Sequence, residues 1–130
     1  MSGLSSLRRI AAPKPFQPPA ELLARAGGQI VVTEDLKAAA RGADLLYTDV
    51  WVSMGKETES ADRIRLLTGY QINSAVLSVA HPDAVVMHCL PAYRGKEIDE
   101  ATFEEHAPTI FEQAENRLHV QKSILSRIVG

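Results

Sequence analysis

Ala43-Asp44-Leu45-Leu46-Tyr47-Thr48-Asp49-Val50-Trp51-Val52-Ser53-Met54-Gly55 passes from a mainly apolar stretch into a polar cluster. The first part predicts a β-strand over 43–48 whose tip delivers Asp49. A second junction of the same kind lies downstream, where Ala84-Val85-Val86-Met87 stops at His88-Cys89-Leu90-Pro91. In an open α/β sheet the loops leaving the carboxyl ends of the strands line the ligand crevice. Two such junctions predict one shared pocket.

The same alternation continues outward in both directions. A first short strand is expected over 7–12, closed by Pro13 and the proline-rich stretch that ends at Pro19, because each proline removes a backbone donor and restricts its predecessor. Good helix formers over 20–26 stop at Gly27-Gly28, and the β-branched run 29–33 reads as the next strand. Thr33 can cap a helix over 34–41 that ends at Gly42. Helices are expected over 57–67 and 73–80, and a fourth strand over 84–87. A short helix over 99–105, a short strand over 108–111 and a final helix over 112–129 complete the reading, with Ala114, Leu118, Leu125 and Ile128 near one face of the last. The expected fold class is therefore α/β, a Rossmann-like parallel sheet flanked by helices on both faces, in a single domain spanning 1–130.

Composition narrows the partners. A chain of 130 residues with 45% hydrophobic content can bury one core. Its 16 acidic and 14 basic residues are interspersed, so it carries no footprint for nucleic acid or an anionic membrane, and a small molecule is the expected partner. The lone Cys89 excludes an internal disulfide. No apolar stretch reaches the roughly 20 residues that cross a bilayer. The opening residues lack the apolar core of a secretory signal, and Arg8 and Arg9 are too few for a transit peptide. A cytoplasmic location is the expectation.

The chemistry sits at the strand tips. Asp49 is an acceptor suited to an ammonium group, and the small Ser53 and Gly55 allow backbone groups to approach a ligand closely. Equally, Asp49 can cap the turn that follows it, with Met54 filling the core. Cys89 reads either as a reactive thiolate, its pKa lowered by a neighbouring cation such as charged His88, or as a small buried hydrophobe. His88 can donate to a carbonyl oxygen where charge develops, or serve as a structural histidine. Arg117 is placed near the start of the last helix, where its fork can bind phosphate or carboxylate, or pair with Gln113 or Glu115. Arg94 and Lys96 are weaker anion candidates. His81, His88 and Cys89 lack the paired spacing of a zinc site, so no metal is expected. A dinucleotide site is disfavoured because the Gly-x-Gly-x-x-Gly turn is missing.

Taken together, Asp49-x-Trp51-x-Ser53-Met54-Gly55, His88-Cys89-Leu90-Pro91 with Arg94-Gly95 behind it, and Ala114-Glu115-Asn116-Arg117 resemble the carboxyl-terminal, ornithine-binding domain of the ornithine carbamoyltransferases. The resemblance runs from about Arg9 to the end of the chain. It implies an enzyme of arginine biosynthesis that joins L-ornithine to carbamoyl phosphate, giving citrulline and phosphate, without metal or organic cofactor. It implies that Asp49, Ser53, Met54 and Cys89 bind ornithine, and that His88, Cys89, Leu90 and Arg117 bind carbamoyl phosphate. It also implies that His88 and Cys89 are the catalytic pair. Relatives acting on aspartate or putrescine carry a different loop in place of Ser53-Met54-Gly55.

The chain departs from that family in one large respect. The family's amino-terminal half supplies a Ser-Thr-Arg-Thr-Arg phosphate loop and a His-Pro-x-Gln segment, and neither motif occurs here. The first strand of the ornithine domain is absent too, which predicts an exposed apolar sheet edge. Two readings follow: a carbamoyltransferase domain that is inactive alone and needs a separate chain carrying the carbamoyl-phosphate half, or a non-catalytic ornithine-binding or regulatory module. Assembly into a homo-oligomer is compatible with both.

Overall fold

The computed structural model describes residues 7–26, 29–52 and 60–129. Ser53, Met54, Gly55 and the expected helix start at 57 lie outside the described residues, as do Gly27 and Gly28. The chain runs β1 (Arg8–Ala11), α1 (Ala20–Arg25), β2 (Ile30–Thr33), α2 (Leu36–Ala40), β3 (Leu45–Thr48), α3 (Ser60–Leu67), α4 (Ser74–Leu77), β4 (Val85–His88) and α5 (Glu100–Val129). Parallel strands alternate with helices, in accord with the expected α/β class. The strands form two separate parallel pairs, β1–β2 and β3–β4, where one continuous sheet was expected.

Local chemistry accounts for the boundaries. Asp35, and not Thr33, caps α2: its carboxylate accepts the Ala38 N–H at 2.9 Å, while Thr33 Oγ1 accepts the Asp35 N–H at 3.0 Å. Gly42, at φ 61°, ends the helix in the left-handed conformation that glycine adopts without strain. Asn73 caps α4 through the Val76 N–H at 3.2 Å.

The core is built around β3 and β4. Leu46 and Val86 point inward, and Ile72, Val76, Ile98, Phe103 and Ile110 close over them. Each such side chain stabilises the fold by about 1.5–3 kcal/mol when fully buried. Along both strands burial alternates, so Leu45, Tyr47 and Val85 stay exposed. Among the described residues the outer face of this pair is thus less covered than its core face.

A second correction concerns the carboxyl-terminal third. The segment 108–111 is not a strand, and no break separates two helices; α5 runs unbroken from Glu100 to Val129 with Pro108 inside it. Proline removes one helical hydrogen bond and costs about 3 kcal/mol. Here that cost is offset by anchors on both sides: Phe103 and Ile110 are buried in the core, and Arg94 bonds Glu104 at 2.6 Å while lying 4.6 Å over the Phe103 ring. Beyond the core, Leu118, Leu125 and Ile128 of the expected apolar face remain exposed. No described helix is long and apolar enough to cross a membrane.

Candidate functional site

The register of β3 against β4 builds the site. Leu45 pairs with Val85 and Thr48 with His88, so the next residues off each strand, Asp49 and Cys89, leave the sheet side by side. The Cys89 thiol donates to Asp49 Oδ1 at 3.0 Å, and the Val50 N–H donates to the same oxygen at 2.7 Å. Partial burial and then the Asp49 carboxylate raise the Cys89 pKa; the Tyr47 hydroxyl and the Arg117 charge oppose that shift and are outweighed. Tyr47 is raised as well, first by burial and then by its contact with Cys89. Burial and the Asp49 carboxylate both favour the thiol form of Cys89 over the cation-activated thiolate.

His88 is fully buried and engaged within the protein at both ring nitrogens. Nδ1 accepts the Leu90 N–H at 2.9 Å, which leaves the ring proton on Nε2, facing Glu97 Oε1 at 3.2 Å. That carboxylate oxygen also accepts the Tyr93 N–H at 2.6 Å. A fully buried glutamate beside the tip loop ties the two ends of the turn together. Leu90 itself sits at φ 55°, a conformation costing a non-glycine residue on the order of 1–3 kcal/mol. The His88–Leu90 bond helps hold it there. In this geometry the Nε2 of His88 faces Glu97, and the ring is fully buried.

Arg117 arrives from α5. Its Nη1 donates to the Cys89 carbonyl at 2.9 Å, and Gln113, one turn earlier, reaches the Tyr47 hydroxyl at 3.5 Å. Because α5 is continuous, Arg117 lies well inside the helix and not near its start. The structure thus brings together Asp49, His88, Cys89, Leu90 and Arg117, while Ser53 and Met54 lie outside the described residues. Arg94 is taken by Glu104, and Lys96 lies 4.5 Å over the Tyr93 ring. His81 faces Asp83, and His119 faces Glu115 on its own helix.

Sequence reasoning missed Glu97, Tyr47 and Gln113. Strand alternation offered a signal for Tyr47, which shares the exposed face of β3 with Leu45. Nothing local marked Glu97. Ligand atoms of Asp49, His88 and Cys89 lie within 4.8 Å of one another, a donor set of the type that binds zinc. Here the thiol proton, the Leu90 N–H and Glu97 satisfy those atoms internally.

Comparison with known proteins gives this site its context. Residues 3–128 match the family described as aspartate/ornithine carbamoyltransferase, Asp/Orn binding domain. The ornithine carbamoyltransferase of Methanosarcina acetivorans is 48% identical over 123 residues, covering 92% of this chain and 41% of that protein. The crystal structure of anabolic ornithine carbamoyltransferase from Campylobacter jejuni superposes with a TM-score of 0.84 at 41% identity, covering 92% of this chain and 42% of that one. The Thermus thermophilus enzyme superposes at 0.78 with 40% identity, over 94% of this chain and 39% of that one. The chain spans about two-fifths of the length of these relatives, at 41%, 42% and 39%. A matched region that reaches from residue 3 to residue 128, with the tip loops on one parallel pair, establishes that the chain belongs to the aspartate/ornithine carbamoyltransferase family, as its Asp/Orn-binding domain.

Proposed function

We propose that this chain, as a single domain over 1–130, is the ornithine-binding part of an ornithine carbamoyltransferase, and that it transfers no carbamoyl group by itself. The observation that carries the reading is the convergence of Asp49, Cys89 and Arg117, joined by contacts of 3.0 and 2.9 Å at the tips of adjacent strands. Asp49 is exposed and receives the ammonium of L-ornithine. Cys89 marks the position of the reacting amine. Arg117 spends one N–H on the Cys89 carbonyl and keeps further donors for the anionic end of carbamoyl phosphate.

In the reaction the ornithine amine forms a C–N bond to the carbamoyl carbon. The C–O bond to phosphate breaks, phosphate leaves with the electron pair, and the amine loses a proton. Orientation of amine and carbon supplies much of the gain, and donors aimed at the developing charge supply the rest. His88 acts as a positioning residue: it holds the Leu90 turn and so directs the Leu90 carbonyl toward the carbamoyl amide. No metal or organic cofactor takes part.

Amide NMR during L-ornithine titration tests this reading. Shifts confined to Asp49, Val50 and Cys89, abolished by Asp49→Asn, are expected. A dispersed spectrum that ignores ornithine would sink it. A second reading is a regulatory ornithine-binding module. Citrulline formed on mixing with the uncovered part of the Methanosarcina acetivorans relative decides for the split enzyme, and binding without citrulline decides for the module.

A further inference from the structure

From Glu115 to Val129 every residue of α5 is exposed. The large apolar side chains of this half are not scattered over it. Phe111, Ala114, Leu118, Gln121, Leu125 and Ile128 recur at alternating steps of three and four residues along one stripe. These are the a and d positions of a heptad pattern with a single polar member, Gln121. Contiguous apolar surface of this kind on a water-facing helix marks an interaction site. The stripe begins at the core, where the Phe111 ring meets Phe103 edge-on at 6.1 Å.

The charges on its flanks select the occupant. One flank, the e positions, carries Glu115 and Lys122, one heptad apart and opposite in sign. Glu115 faces His119 on its own helix at 3.3 Å, and both Glu115 and Lys122 are exposed. The other flank, the g positions, carries Arg117 and Ile124, with Arg117 turned to the Cys89 carbonyl. In a parallel pair of such helices g meets e, which sets Arg117 against Lys122 of the second copy, two like charges. In an antiparallel pair e meets e. Glu115 then faces Lys122 of the second copy, and the two-fold axis repeats the contact with the roles exchanged.

We propose that this stripe is a self-association surface, on which a second copy of the chain lays its own α5 antiparallel. The register follows from the heptad: with Leu118 against Gln121 of the second copy, Phe111 meets Ile128 and Ala114 meets Leu125. The two Gln121 side chains fall beside each other at the axis, where their amides can pair, so the one polar residue of the stripe fixes the register. Apolar layers supply the affinity, and the flanking charges supply the orientation. The inference stands apart from ornithine binding, since neither Asp49 nor the Cys89 thiol enters it, and its failure leaves the proposed function untouched.

Sedimentation velocity on the unmodified chain over a concentration series tests it. The mass is expected to climb from that of one chain toward that of two as concentration rises. Leu125→Lys, at an exposed position where the fold of one copy is not at stake, is expected to abolish the rise. Glu115→Lys and Lys122→Glu should each weaken association by about tenfold or more through like-charge contacts. An equimolar mixture of those two variants should associate again, because every e–e contact in the mixed pair joins opposite charges. A chain that stays monomeric throughout, or association that survives Leu125→Lys, overturns the proposal. Association strengthened by Lys122→Glu alone overturns it in favour of a parallel pair. Amide exchange over 118–128 that slows only when the uncovered part of the Methanosarcina acetivorans relative is added overturns it in favour of a different polypeptide.

Discussion

The pairs β1–β2 and β3–β4 are built alike, each from two four-residue strands in parallel register, yet they differ in what surrounds them. β3–β4 carries Leu46, Val86 and His88 into a closed core under α5 and bears Asp49, His88 and Cys89 at its tips. β1–β2 contains no fully buried residue and meets the rest of the molecule through α2 and the Arg9 bonds. Local strand chemistry therefore makes both pairs, while only long-range packing makes one of them a core. Stability is expected to be concentrated in the pair that holds the site.

The largest predicted effect is a difference between two substitutions. Ile98→Ala leaves a void in the core beside Val86 and should destabilise by about 2–5 kcal/mol. Val31→Ala, on exposed β2, should change stability by no more than about 0.5 kcal/mol. Urea unfolding of both variants checks this. Equal losses would break the comparison and show that the strand pairs unfold as one tightly coupled unit.

Next in size is Glu97→Ala. The change frees the Nε2–H of His88 and the Tyr93 N–H in a buried place, and each lost bond to a charged group is worth about 1.5–3 kcal/mol. It should also loosen the Leu90 turn, so that ornithine-induced shifts at Cys89 weaken while those at Asp49 persist. A stability loss with both sets of shifts intact would reduce Glu97 to a structural role.

Much of this arrangement was legible in the residues. Each strand was marked by an apolar or β-branched run closed by glycine, proline or a polar tip, and the Asp49 and His88-Cys89 junctions named the place where the site forms. Three features were not legible, for separate physical reasons. Pro108 carries a local signal for a break, and tertiary anchoring of Phe103 and Ile110 overrides it. Glu97 reads as one more charge in a polar loop; its burial depends on a histidine on another element. The split of the described strands into two pairs is set by tertiary placement, which hydrophobic pattern alone does not encode.

The smallest predicted effect concerns the thiol at the tip of the stable pair. Burial and the Asp49 carboxylate both raise the Cys89 pKa, so alkylation by iodoacetamide, which needs the thiolate, should be slower than for a free cysteine at mildly alkaline pH. The sign for stability follows from the same shift. A thiol whose pKa is raised on folding contributes stability that is complete at neutral pH and is lost only as the pH climbs through the alkaline range. Asp49→Asn removes the carboxylate but leaves the burial, so alkylation should speed up without reaching the rate of an unfolded control. If it reached that rate, the packing at the tip of β4 would be as loose as that around β1–β2, and the site would owe its geometry to Asp49 alone.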